Sequence, residues 1–149
     1  MSGNQYPSVT DAPVEISAAC PSGQAPVFEP VKGERSLLLH ICCGPCSIMP
    51  VKRLQDESFT VTAWYMNPNI QPLMEYLRRR EAAEECAARL GIELICQDDT
   101  WDLVAWLRSV AGRDLPPQRC AWCCSRRMQA AVAYARANGY AHVSSSLLY

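Results

Sequence analysis

Two cysteine groups carry the chemistry of this chain: Cys42-Cys43-Gly44-Pro45-Cys46 and Cys120-Ala121-Trp122-Cys123-Cys124. Thiols two residues apart on a turn entering a helix can exchange a disulfide, or as thiolates they can grip a metal ion or an iron–sulfur cluster. Both groups precede stretches whose pattern predicts a helix. A helix N-terminus suits anionic sulfur, because its unpaired N–H groups and positive dipole end face the thiols. A compact zinc ribbon wants its cysteine pairs within about 15–20 residues of each other. Here most of a folded unit lies between them, so zinc stays open but the ribbon does not. Iron–sulfur clusters commonly take four thiolates, a number that two pairs from opposite ends of a fold could supply. The ordinary alternative is that these are small buried apolar residues. That reading suits Cys86 and Cys96, on a predicted helix and strand, better than it suits two doubled pairs. Cys20 reads as incidental, and Cys124 fits either reading.

The elements that must position these thiols alternate strand and helix. Ser36–Ile41 is a short apolar run read as a buried strand, residues 47–57 form a helix, and Thr60–Met66 is a second strand. A long helix covers Gln71–Leu90, with Leu73, Tyr76, Leu77, Ala83, Ala87 and Leu90 at helical spacing, Pro72 in its first turn and Gly91 just past its end. Ile92–Cys96 is a third strand. The next helix spans Trp101–Ala111, capped from Asp99-Thr100, with Leu103, Val104, Leu107 and Ala111 on one face. Gly112–Gln118 is a loop before a helix over 122–137, whose inward residues are Met128, Ala131, Val132 and Ala135. His142–Leu148 is the last strand. Such alternation predicts a single α/β domain, a parallel sheet with right-handed crossovers flanked by helices. Ligands of open α/β sheets bind beyond the carboxyl ends of the strands. Cys42–Cys46 follows the first strand, Asn67-Pro68-Asn69 the second and Asp98-Asp99 the third, so these segments should meet at one rim.

The chain has 149 residues, nine of them cysteine, with 49% apolar residues and a net charge of −1. That balance excludes a protein that coats nucleic acid by overall charge. Only Lys32 and Lys52 are lysines; the other twelve cations are arginines, which suit phosphates and bases or simply reflect a GC-rich coding bias. Residues 1–35 hold scattered prolines and no apolar signal core, and are expected to be a disordered or extended leader before an α/β domain over 36–149. No run is long enough to cross a membrane. The expected location is cytoplasmic, where clustered thiols serve metal or redox chemistry.

Strand, Cys-Gly-Pro-Cys and helix are similar to thioredoxin, and Met49-Pro50 adds to the likeness. A thioredoxin-like dithiol enzyme would, however, need a βα unit before that strand, and it leaves Cys120-x-x-Cys123 without a role. An ATP-using tRNA thiolation enzyme would need a pyrophosphate loop where His40-Ile41-Cys42-Cys43-Gly44-Pro45-Cys46 stands. Four pieces in register resemble a different family, the cobalamin-independent epoxyqueuosine reductases QueH. They are Leu38–Cys46; Asn67–Pro72 with Glu75, Tyr76 and Arg79; Arg119–Cys123 with Arg126; and Ser145–Leu148.

The resemblance implies a Rossmann-like (HUP-type) fold, a [4Fe–4S] cluster, and reduction of the epoxide of epoxyqueuosine at the tRNA wobble position to give queuosine and water. By position, Cys42, Cys43, Cys120 and Cys123 would hold the cluster, with Cys46 beside it on an additional iron. Removing the epoxide oxygen takes two electrons and two protons, so a proton donor is needed. From location, His40, Cys46, Tyr76 and Asp98 are the catalytic candidates; a core histidine, a packed tyrosine and a loop anchor are the alternatives for three of them. Asn67 and Asn69 would reach nucleoside hydroxyls or fix a turn. Arg79, Arg119 and Arg126 would meet RNA phosphate, and Trp122 would shield the cluster or stack on a base of the anticodon loop. An unidentified electron donor is implied. The family also carries a Cys-x-Cys near its C-terminus, and that part is expected to be missing from this chain. A metal-binding relative without catalysis is the remaining alternative.

Overall fold

The computed structural model describes residues 32–113 and 115–149; Cys20 and residues 1–31 of the expected leader lie outside the described residues. The strand β1 (Ser36–Ile41) has all six residues buried. A strand buried on both faces needs a layer on each side and a neighbour at each edge. β2 (Thr60–Tyr65) pairs with one edge and β4 (His142–Ser145) with the other, both parallel to β1. β3 (Glu93–Cys96) adds in parallel outside β2, giving the order β3-β2-β1-β4. Parallel neighbours need crossovers, and these are α1 (Gly44–Asp56), α2 (Leu73–Leu90), and the pair α3 (Leu103–Val110) and α4 (Pro116–Ala137). The expected parallel α/β domain is thus the observed one.

Alternation along the strands sorts the core into two layers. Leu37, Leu39 and Ile41 of β1 and Val61, Ala63 and Tyr65 of β2 face Val51 and Leu54 of α1 and Tyr76 and Ala83 of α2. Leu38 and Trp64 point the other way, onto Ala131 and Ala135 of α4 and onto Tyr140. Where α1 starts, it abuts α2 closely. A Cβ on Gly44 would overlap the carbonyl oxygen of Ala82, lie 2.8 Å from its carbon and 3.1 Å from the Cβ of Cys86. The glycine is therefore a packing requirement between two helices. Gly91 closes α2 in the left-handed region, at φ 66°, as its place in the sequence predicts.

Several boundaries differ from the sequence expectation. Helix α1 begins at Gly44, because Pro45 fits the first turn, where its missing N–H costs nothing. Pro116 and Pro117 likewise open α4, so the expected loop over Gly112–Gln118 is cut short and Cys120 and Cys123 sit within the helix. Trp101 is not helical: its indole N–H donates to the Ile70 carbonyl at 3.0 Å. Asp98–Thr100 forms a 3-10 turn instead, and Asp102 caps α3 by accepting from the N–H groups of Val104 and Ala105. Asp102→Ala should cost about 1 kcal/mol, readable as a lower urea midpoint. The face of α3 bearing Leu103, Val104 and Leu107 is exposed, and Val110 is its buried residue. On α4, Val132 points outward, while Arg127, Ala131 and Ala135 point in. β4 stops at Ser145, whose hydroxyl accepts from the Leu147 N–H and opens a 3-10 turn over Ser146–Leu148.

Candidate metal centre at the carboxyl edge of the sheet

After β3 the chain crosses back past β2 and places β4 on the far side of β1. The crevice between the carboxyl ends of β1 and β4 is therefore the switch point, where open parallel sheets receive ligands. β1 runs directly into Cys42, and Cys43 is the N-cap of α1. Cys42 and Cys43 are half-buried and Cys46 is exposed. The three sulfurs lie within 4.8 Å of one another. Cys43 Sγ is 2.8 Å from Cys46 Sγ and 4.0 Å from Cys42 Sγ, and from the β4 side Ser146 Oγ comes to 3.9 Å from Cys42 Sγ. The hydrogen bond with the Cys43 thiol, then burial, then Cys42 push the Cys46 thiol up to about 12. Thiolates this close repel one another, and a bound cation is what would let several ionise together.

The second pair lies on α4, and the Cys123 turn is tied to the loop after β2. Cys120 (exposed) and Cys123 (buried) are one turn apart on α4, so they share a face. They lie outside the close three-thiol group. The expectation that this pair, too, opens a helix is corrected, since α4 starts before it. What links it to the first pair is Arg127, 7% exposed. Its Nε donates to the Cys123 carbonyl at 3.3 Å and its Nη1 to Asn67 Oδ1 at 3.4 Å. Asn67 Nδ2 in turn donates to the Ile41 carbonyl at 2.9 Å. Three hydrogen bonds thus run from the Cys123 turn to the residue before Cys42. Burial raises the Cys123 thiol, and Arg127 opposes that.

His40 is fully buried, with Nδ1 3.0 Å from Ser145 Oγ and Nε2 3.3 Å from the Met66 carbonyl. A carbonyl can only accept, so Nε2 carries the proton and Ser145 donates to Nδ1. Burial first, then the Arg127 charge, hold its pKa down to about 4, so the ring is neutral at pH 7. Asn67, also fully buried, spends both ends of its amide inside the fold.

Beyond β3, the Tyr76 hydroxyl donates to Asp98 Oδ1 at 2.8 Å, and Arg80 Nε lies 3.2 Å from Asp98 Oδ2. Burial, then the Asp98 carboxylate, push the Tyr76 phenol far up. On the loop after β2, Asn69 Oδ1 and Gln71 Oε1 are buried acceptors without a partner among the described residues, as is the donor Trp122 Nε1 on α4. Arg78 and Arg79 both pair with Glu75, at 2.7 and 2.6 Å, so much of that arginine run is neutralised. Arg119 is exposed. Arg113 and Arg126 lie over the Trp122 ring, 4.2 and 5.5 Å from its centre.

Arg127 is the residue that sequence reasoning passed over in favour of its neighbour. The signal was present: Arg127, Ala131 and Ala135 recur every four residues, the spacing of one buried helix face.

The fold and thiols define a class: a parallel α/β domain presenting a cysteine group that could hold a metal at the carboxyl edge of its sheet. The chain belongs to the epoxyqueuosine reductase QueH family, whose profile matches residues 37–149. A relative from Dehalococcoides mccartyi is 36% identical over 74% of this chain and 59% of its own length. One from Histophilus somni is 33% identical over 92% of this chain and 58% of its own, and one from Haemophilus influenzae 35% over 77% and 47%. Each is named epoxyqueuosine reductase QueH, and the chain spans about half the length of these relatives. The thioredoxin-like dithiol reading is not favoured. Among the described residues no helix is long and apolar enough to cross a membrane.

Proposed function

We propose that this chain forms the cluster-bearing part of an epoxyqueuosine reductase, acting on epoxyqueuosine in the anticodon loop of tRNA in the cytoplasm. The supporting observation is the convergence at one sheet edge of the Cys42–Cys43–Cys46 thiols with the Cys123 turn, held there through Arg127 and Asn67. This donor set fits a [4Fe–4S] cluster on Cys42, Cys43, Cys120 and Cys123: all four are thiols, and each pair shares a turn of helix or the strand end feeding it. When bound, the cluster would supply electrons one at a time from an external donor, two per epoxide. The overall change consumes two electrons and two protons, breaks both C–O bonds of the epoxide and releases water.

The chain's own residues divide the remaining work. His40 and Asn67, whose polar atoms are engaged inside the fold, hold the strand ends in register. Protons come from Cys46, exposed beside the other thiols, or from the hydrogen-bonded Tyr76–Asp98 pair at the same edge. Cys46 is also the ligand available to an additional iron. Asn69, with its unpartnered acceptor, offers a contact for a nucleoside hydroxyl or amine. Arg119 meets phosphate from an exposed position, Arg79 and Arg126 do so by exchanging Glu75 and the Trp122 ring for it, and the ring face that Arg126 leaves then takes a stacked base.

The test uses tRNA from cells lacking epoxide reductase, incubated anaerobically with the reconstituted chain and dithionite. Nucleoside mass spectrometry should show epoxyqueuosine converted to queuosine. Epoxyqueuosine unchanged, with the cluster loaded, would reject catalysis by this chain.

A further inference from the structure

Arg127 carries a full charge at any relevant pH, yet it is 7% exposed. The ion pairs among the described residues involve Arg53, Arg78, Arg79, Arg80 and Arg89, and Arg127 enters none of them. Its contacts are an amide oxygen of Asn67, the Cys123 carbonyl and, at 3.8 Å, Cys124 Sγ. A buried cation with only uncharged oxygen acceptors is poorly compensated, so its surroundings call for an anion. The guanidinium sits between the Cys123 turn and the strand end that leads into Cys42. A centre held by four thiolates is net anionic and becomes more so with each electron it receives.

We propose that Arg127 is a positioning residue whose buried charge faces the thiolate centre, retaining it in the fold and raising its reduction potential. This rests on the reading that Cys42, Cys43, Cys120 and Cys123 hold a cluster. Arg127 gains and loses no electron or proton; the electron comes from the external one-electron donor, and the fixed cation favours the reduced state.

The chain and its Arg127→Lys, Arg127→Met and Asn67→Asp variants are purified anaerobically, assayed for iron and sulfide, and titrated with dithionite while the visible spectrum and electron paramagnetic resonance are followed. Arg127→Met should hold at least threefold less iron, and what remains should reduce at a more negative potential; Arg127→Lys should stay near the parent in both. Asn67→Asp keeps the arginine but sets a carboxylate against it, so its potential should also fall. Unchanged potentials in Arg127→Met and Asn67→Asp would overturn the proposal. So would an Arg127→Lys shift as large as that of Arg127→Met. If Arg127→Met does not fold, Arg127→Gln, uncharged but still able to donate toward the Cys123 carbonyl and Asn67, takes its place. A parent chain without iron and sulfide would instead overturn the cluster reading itself.

Discussion

Cys43→Ala is expected to lower iron and acid-labile sulfide at least tenfold in anaerobically purified protein, while Cys46→Ala keeps sulfide near the parent level and loses only the additional iron. The two sulfurs are only 2.8 Å apart, so proximity alone would not separate them. Their settings do. Cys43 caps α1 and is half-buried, with Cys42 on its other side at 4.0 Å. There it faces the unpaired N–H groups and the positive dipole end of α1, the setting in which a helix start receives an anionic cluster. Cys46 is inside the first turn and exposed, free to leave without opening the pocket. A dithiol enzyme would treat the two alike, since either substitution removes its disulfide. Equal loss of iron in both variants would reject the ligand set of Cys42, Cys43, Cys120 and Cys123.

Gly44→Ala should destabilise the domain by about 3 kcal/mol, the upper end for forcing a methyl into a packed site. Alanine would favour the helix by about 1 kcal/mol on propensity alone. The contact wins because the obstacle is the backbone of Ala82, which no rotamer change can move aside. Helix α1 must then retreat from α2, carrying Cys43 and Cys46 with it. The measurable result is a melting temperature lower by about 10 °C for a domain of this size, together with reduced iron retention. An unchanged melting temperature would mean that the α1–α2 contact is looser than described.

How far these features could be read in advance depends on their physical origin. β1 and the start of β2 were legible because a run such as Leu37-Leu38-Leu39 can only be satisfied by burial on both faces. Gly91 was legible because its conformation is local. The start of α4 was misread: Pro116-Pro117 suits a loop or a first turn equally, and only the packing of Ala131 and Ala135 further along decides between them. The start of α3 was misread for a similar reason. Asp99, Thr100 and Asp102 are all capping types, and the bond from Trp101 to Ile70 chooses among them. At the site, residue types showed the thiols, but not Arg127. A charged residue reads as surface until the fold supplies Asn67 as its partner across 60 positions of chain.

The place of β1 in the sheet has one more consequence. Both its edges are hydrogen-bonded and both its faces are covered, so its amides should open to solvent only when the whole domain does. The thiols of Cys42 and Cys43 follow directly on the last link of that most protected segment. β3, at the edge of the sheet, pairs with β2, so its fraying leaves the hydrogen bonds of β1 intact.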